Sequence, residues 1–173
     1  GSSEHLEQSA ANIQKNYPNR FILFTNVNFS DIDHPEWAAR TARQLEEDVK
    51  RGAKGLKIYK SLGLFDKDSK GNRIHIDDPR IDPVWAKCGE LGIPVLIHTA
   101  DPKQFWEPID KNNERWLELK LHPGRRHDTD PVKWETVIAE QHNIMRKHKK
   151  TKFINAHMGW YGSDLKKLGQ LMD

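Results

Sequence analysis

Two histidines pose the chemical question in this sequence. His98 closes the run Ile93-Pro94-Val95-Leu96-Ile97-His98, and His157 closes Lys152-Phe153-Ile154-Asn155-Ala156-His157. Both runs are short and apolar, the pattern of a strand buried in an α/β fold. Each histidine is followed by a turn with small or polar residues. In parallel α/β folds, ligand-binding side chains converge at the carboxyl ends of the strands. If the two strands are neighbours, two imidazoles face one cavity, and imidazole suits divalent zinc, iron or manganese at neutral pH. The competing reading is two loop histidines held by hydrogen bonds. Their equivalent placement in successive units favours a site.

The elements that must position them follow from the rest of the pattern. Phe21-Ile22-Leu23-Phe24-Thr25 and Gly55-Leu56-Lys57-Ile58-Tyr59 read as two earlier strands. Amphipathic stretches over 36–51, 80–91 and 132–148 separate the four, each preceded by a start signal: Asp33-His34-Pro35, Asp78-Pro79 and Asp130-Pro131. Arg51-Gly52, Leu91-Gly92 and His148-Lys149-Lys150 supply the left-handed residue or the cations that helix ends favour. Such alternation means parallel strands joined by right-handed crossovers, either a doubly wound sheet or part of a (β/α)8 barrel.

Two connections are long. Residues 62–77 hold a small β-hairpin around Lys70-Gly71-Asn72, and residues 102–129 hold an aromatic segment, a helix over 112–120 and the run His122-Pro123-Gly124-Arg125-Arg126-His127. Both follow strands, at the end where such folds place their sites. A complete barrel needs about 250 residues, so four strands in 173 residues are read as about half of one, a fragment ending in a helical pattern over 164–173. Residues 4–173 are expected to form this single partial domain, and residues 1–3 to be an expression-tag remnant.

Composition excludes several function classes. One cysteine, Cys88, allows no internal disulfide, and no apolar run reaches the length of a membrane span. A net charge of +3, with 28 basic and 25 acidic residues interleaved, argues against nucleic acid or an anionic membrane. The expected location is cytoplasmic, with an exported protein that has lost its signal peptide as the alternative. The expected partners are a small-molecule substrate and a second copy of the chain. No Gly-x-Gly-x-x-Gly follows a strand, which disfavours a nucleotide-binding domain.

Pro94-Val95-Leu96-Ile97-His98-Thr99-Ala100-Asp101-Pro102 resembles the fifth barrel strand of the amidohydrolase-related branch of the metal-dependent hydrolases. Phe153-Ile154-Asn155-Ala156-His157-Met158-Gly159 resembles its sixth, and the likeness extends back through Gln44-Leu45-Glu46-Glu47-Asp48-Val49 and Gly52-Ala53-Lys54-Gly55-Leu56-Lys57-Ile58. The resemblance implies a distorted TIM barrel with a divalent metal, usually zinc, at its C-terminal face, with manganese or iron as alternatives. It implies that His98 is a metal ligand and that His157 is a second ligand or the acid/base beside the activated water. Decarboxylases share the architecture. The family's first-strand His-x-His and eighth-strand Asp have no counterpart here, and two ligands fall short of the usual three of catalytic zinc. The chain alone is therefore expected to be inactive. A non-catalytic module that pairs through open sheet edges is the alternative.

Further residues are weighed at the same face. Lys57 and Tyr59 share a strand face by the period-two rule. Lys57 is read as a contact for a substrate carboxylate, against a lysine that points to solvent with no role, a bridging carboxylated lysine of the kind some relatives carry being the lesser reading. Asp101 is read at the substrate or behind a ligand, against a turn cap, and Trp160 and Tyr161 as site walls, with Phe105, Trp106 and Trp116 equally suited to packing. Asn26 and Asn28 are candidate donors, and Arg125 and Arg126 hint at a carboxylate-bearing substrate. Three features are set aside: the calcium-like Asp66-x-Asp68-x-Lys70-Gly71, whose lysine stands where a ligand oxygen is needed, the basic run 146–150, and mid-helix Cys88.

Overall fold

A computed structural model describes residues 3–172. Gly1, Ser2 and Asp173 lie outside the described residues, and Ser3, expected to belong to a tag remnant, opens the first helix. The order is α1 (Ser3–Asn16), β1 (Leu23–Thr25), α2 (Trp37–Lys50), β2 (Ala53–Ile58), α3 (Asp82–Glu90), β3 (Val95–Ile97), α4 (Trp116–Leu121), α5 (Trp134–Lys147), β4 (Phe153–Asn155) and α6 (Leu165–Met172). The four strands are parallel and lie side by side in chain order, β1-β2-β3-β4. A doubly wound sheet needs a reversal of strand order at a switch point. This order has none, so the chain has the winding of a barrel segment.

The strands alternate as their sequences require. Thr25, Leu56, Ile58, Val95 and Ile97 are buried, most of them in one core with Val84, Trp85 and Cys88 of α3 and Val137, Ile138 and Ile144 of α5. The intervening residues face the other way. Lys57 and Leu96 are paired in register and half-buried, and Ile154, paired with Leu96, is 46% exposed. On β1, Phe24 pairs with Gly55, and a Cβ at Gly55 would lie 2.2 Å from the Phe24 ring, so the ring takes the space that glycine leaves.

The Asp-Pro signals fall about a turn before the helices, and none of them caps. The chain enters α2 through Glu36, α3 through Ile81 and α5 through Lys133, none with a side-chain cap. The aspartates have better partners in the loops. Asp78 accepts from the Arg80 N–H and guanidinium, Asp33 from the Ser69 N–H and hydroxyl, and Asp130 from the His127 ring. Charge-assisted bonds of this kind outweigh a helix cap. The hairpin in 62–77 forms as expected. Lys67 bridges Arg73, and Asp68 draws in the N–H groups of Lys70 and Asn72, which gives the calcium-like motif its structural role.

Candidate functional site

The carboxyl ends of β3 and β4 bring the two predicted histidines together. Their ring centroids lie 4.6 Å apart, edge to face. His98 follows β3, with its own N–H bonded to the Ile58 carbonyl at 3.0 Å, so the neighbouring strand fixes its backbone. Its Nε2 is buried without a hydrogen-bond partner. Burial, then the nearby His157 and Lys57, push its pKa down to about 4, which leaves a neutral ring at pH 7.

His157 is exposed and reaches its place through an unusual backbone. His157, Met158, Gly159 and Trp160 all have positive φ, between 55° and 65°. Only glycine adopts this region cheaply, and each other residue there costs about 1–2 kcal/mol. The turn lays the Trp160 indole on the His157 ring, centroids 4.6 Å apart and 17° from parallel. The indole N–H donates to the Thr99 carbonyl at 2.6 Å.

Residues 10–173 match the family model described as Amidohydrolase. The chain belongs to the amidohydrolase family. Similar solved structures include a Staphylococcus aureus protein assigned to the amidohydrolases (21% identity, TM-score 0.55, covering 97% of this chain and 51% of that one). Others are an amidohydrolase from Mycobacterium avium subsp. paratuberculosis K-10 (16%, 0.52, 98% and 44%) and 2,6-dihydroxybenzoate decarboxylase from Rhizobium (18%, 0.53, 91% and 45%). At these identities the likeness is one of fold, the TIM barrel. The chain spans about half the length of each. A search of curated proteins found no match.

Members of the amidohydrolase family are typically metal-dependent. The pair of histidines fits a metal, because a neutral imidazole with a buried, unbonded nitrogen is the form that ligates. A second group, His75, Asp77 and Glu140, offers ligand atoms within 4.8 Å of one another, the one such trio among the described residues. It suits an ion less well. The Glu140 carboxylate already receives both terminal nitrogens of the Arg73 guanidinium and the Ile76 N–H.

The remaining candidates of this amidohydrolase chain divide. Lys57 is half-buried on the face that carries the histidines. Burial lowers its pKa, and its ammonium lies 5.3 Å from the centre of the exposed Tyr59 ring. A cleft of about 130 Å³ between Asn28, Lys57, Tyr59 and Asp66 opens beside them. Asp101 is buried with both carboxylate oxygens 2.7 Å from the Lys60 ammonium and one 3.0 Å from His127 Nε2, and is thus part of an ion-pair chain rather than a turn cap. Asn26 donates to the Lys57 carbonyl and so ties the exit of β1 to β2, while Asn28 accepts from the Ser30 N–H within its own loop. Phe105 and Trp106 pack on His127, Trp106 at 4.2 Å, while Arg125 pairs with Glu118 and Arg126 with Asp128 at the surface. Tyr161 packs edge-on against Trp134. Burial pushes the Cys88 thiol up to about 12 and makes it a poor nucleophile.

Four residues here carry more than the sequence reading gave them: Lys60, His127, Gln141 and Asn155. Gln141 had a signal, since it falls on the stripe 134, 137, 138, 141, 144 that α5 buries. A glutamine on such a stripe needs buried partners. His127 had none, because its two carboxylates come from 26 residues before and three after.

Proposed function

We propose that His98 and His157 belong to the metal site of an amidohydrolase-type enzyme, acting on a small, carboxylate-bearing substrate by hydrolysis or by decarboxylation. The observation that carries this reading is the buried, unpartnered Nε2 of His98 beside the His157 ring. His98 would hold the ion, with His157 as a further ligand or as the acid/base next to it. When bound, a divalent ion, zinc first and manganese or iron as alternatives, supplies Lewis acidity that brings the pKa of a water toward neutrality and polarises a carbonyl.

The chain's own residues take the other roles. His157, exposed and stacked on Trp160, would be the acid/base at the open face. Lys57 supplies a cation on the same face for a substrate carboxylate, with Tyr59 beside it and Trp160 as a wall. Asp101, clamped by Lys60 and His127, holds the segment after His98 in place. Two histidines fall short of three protein ligands, so we read the chain as one part of a longer barrel whose other strands complete the donor set.

Metal analysis by mass spectrometry after brief dialysis tests the reading, with wild-type chain beside a His98→Ala, His157→Ala double variant. Near-stoichiometric zinc, manganese or iron that disappears in the double variant supports it. Equal metal in both proteins places the ion elsewhere, and none in either rejects a site on this chain by itself.

One observation favours a second, non-catalytic reading. The sheet face opposite the helices leaves Ile154 46% exposed, and β1 and β4 each have one neighbour in the sheet. Open edges of this kind invite pairing. A module that joins a partner or a second copy through them would be a dimer in solution and would take up no metal.

A further inference from the structure

Behind the two histidines, on the helix side of the sheet, the side chains that flank them close into a ring. Gln141 of α5 is 0% exposed. Its Nε2 donates to Thr99 Oγ1 at 2.7 Å and to Asn155 Oδ1 at 3.0 Å, and its Oε1 accepts from Asn155 Nδ2 at 3.1 Å. Thr99 is the residue after His98, and Asn155 lies two before His157. Trp160 completes the circuit from the other side through its N–H to the Thr99 carbonyl.

The ring bears on geometry that nothing else in the turn explains. Three non-glycine residues, His157, Met158 and Trp160, hold positive φ, a strain that persists only where the surroundings over-determine it. Gly159 sits directly over the Asn155 amide, and a Cβ there would lie 2.5 Å from Asn155 Nδ2. Fixing the Asn155 amide therefore fixes the floor of the turn, and the Trp160 bond fixes its far end. An apolar residue at 141 would fill the core of α5 equally well. A fully satisfied buried amide adds a defined arrangement of its partners.

We propose that Gln141 is a positioning residue that sets the contact between His98 and His157, a role that rests on reading those two histidines as the site. Ring-proton NMR on the metal-free chain reads it directly. The wild type should show nuclear Overhauser contacts between the two imidazoles and an upfield ring-current shift of the His157 protons from Trp160. Gln141→Leu and Thr99→Val should lose the contacts and most of the shift while unfolding cooperatively, and Thr99→Ser, which keeps the hydroxyl, should restore both. Zinc affinity should fall about tenfold in the first two and not in the third. Unchanged contacts and shift in folded Gln141→Leu and Thr99→Val, or no inter-ring contact in the wild type, overturn the proposal. If Gln141→Leu does not fold, the Thr99 pair decides. If no variant binds zinc, the metal reading fails while the NMR comparison still judges this one.

Discussion

The imidazoles of His98 and His157 meet edge to face at 4.6 Å, and the His98 nitrogen buried there has no hydrogen-bond partner. A buried polar atom left unpaired costs about 1–3 kcal/mol. The chain thus carries a local instability at the pair of histidines proposed as the metal site.

Replacing His98 by leucine should therefore stabilise the metal-free chain. The expected gain is about 1 kcal/mol, a rise of about 2–4 °C in Tm for a chain of this length. The pH dependence should change as well. Burial, His157 and Lys57 lower the folded pKa of His98 to about 4, whereas an unfolded histidine titrates near 6.5. The unfolded state then takes up a proton that the folded state refuses, so wild-type stability is full above about 6.5 and declines as the pH falls toward 4. His98→Leu should lose that part of the decline. Thermal melts at several pH values check both statements, and a lower Tm at pH 7.5 would contradict the first.

His127 should act with the opposite sign at its alkaline end. Burial disfavours its charged form, but hydrogen bonds from its ring to Asp101 and Asp130 outweigh this and raise its pKa. For Asp101, burial likewise opposes the charged form, and bonds from His127 and Lys60 leave its pKa lowered. The imidazolium's contribution is complete below about pH 6.5 and is lost as the pH rises through the raised value. The carboxylate's contribution is complete above about pH 4 and is lost as the pH falls through the lowered one. His127→Phe should cost about 3 kcal/mol between those limits, because it leaves a buried carboxylate short of a partner. The difference from wild type, followed by urea unfolding, should narrow at pH 9 and at pH 3. A difference independent of pH would show that only packing against Trp106 had been lost.

The turn after β4 makes a paired prediction. Gly159→Ala should destabilise by about 2–3 kcal/mol, because alanine at φ +60° is strained and its Cβ would press on the Asn155 amide. Met158→Gly, one residue earlier at φ +55°, relieves the same strain and should be neutral or stabilising by up to about 1 kcal/mol. Denaturant unfolding of the two variants separates this account from ordinary loop tolerance, which predicts little effect for either.

Much of this was legible in the sequence. The four strands, the three helices between them, the short helix near 112–120, the terminal helix over 164–173 and the hairpin around Gly71 follow from apolar runs, periodicity and turn residues, and His98 and His157 stand out because both end such runs. β1, β3 and β4 proved shorter than their runs, whereas β2 starts two residues earlier, at Ala53. Phe21 and Ile22 are exposed ahead of β1, which is an edge strand among the described residues. The ion-pair chain Lys60–Asp101–His127–Asp130 and the amide pair Gln141–Asn155 were not legible, because they join residues up to 41 positions apart through side-chain geometry alone. Asp-Pro misled for the same reason. A local start signal cannot show that Arg80, Ser69 or His127 will claim the aspartate.

Ile154 offers the last test, of what covers the open sheet face. It pairs with Leu96, which pairs with Lys57, so the row crosses the face that barrel strands would enclose. Ile154→Glu removes little packing within the chain and should change its stability by less than about 0.5 kcal/mol. If two copies meet through this face, the wild type should run as a dimer in sedimentation experiments, and the variant should shift toward monomer, because a carboxylate in an apolar contact would be buried without a partner. A monomeric wild type would remove the second copy as occupant. The face would then be the barrel interior that further strands of an amidohydrolase enclose, and co-expression with such a complementary half should restore to Ile154→Glu a folding defect that the isolated chain does not show.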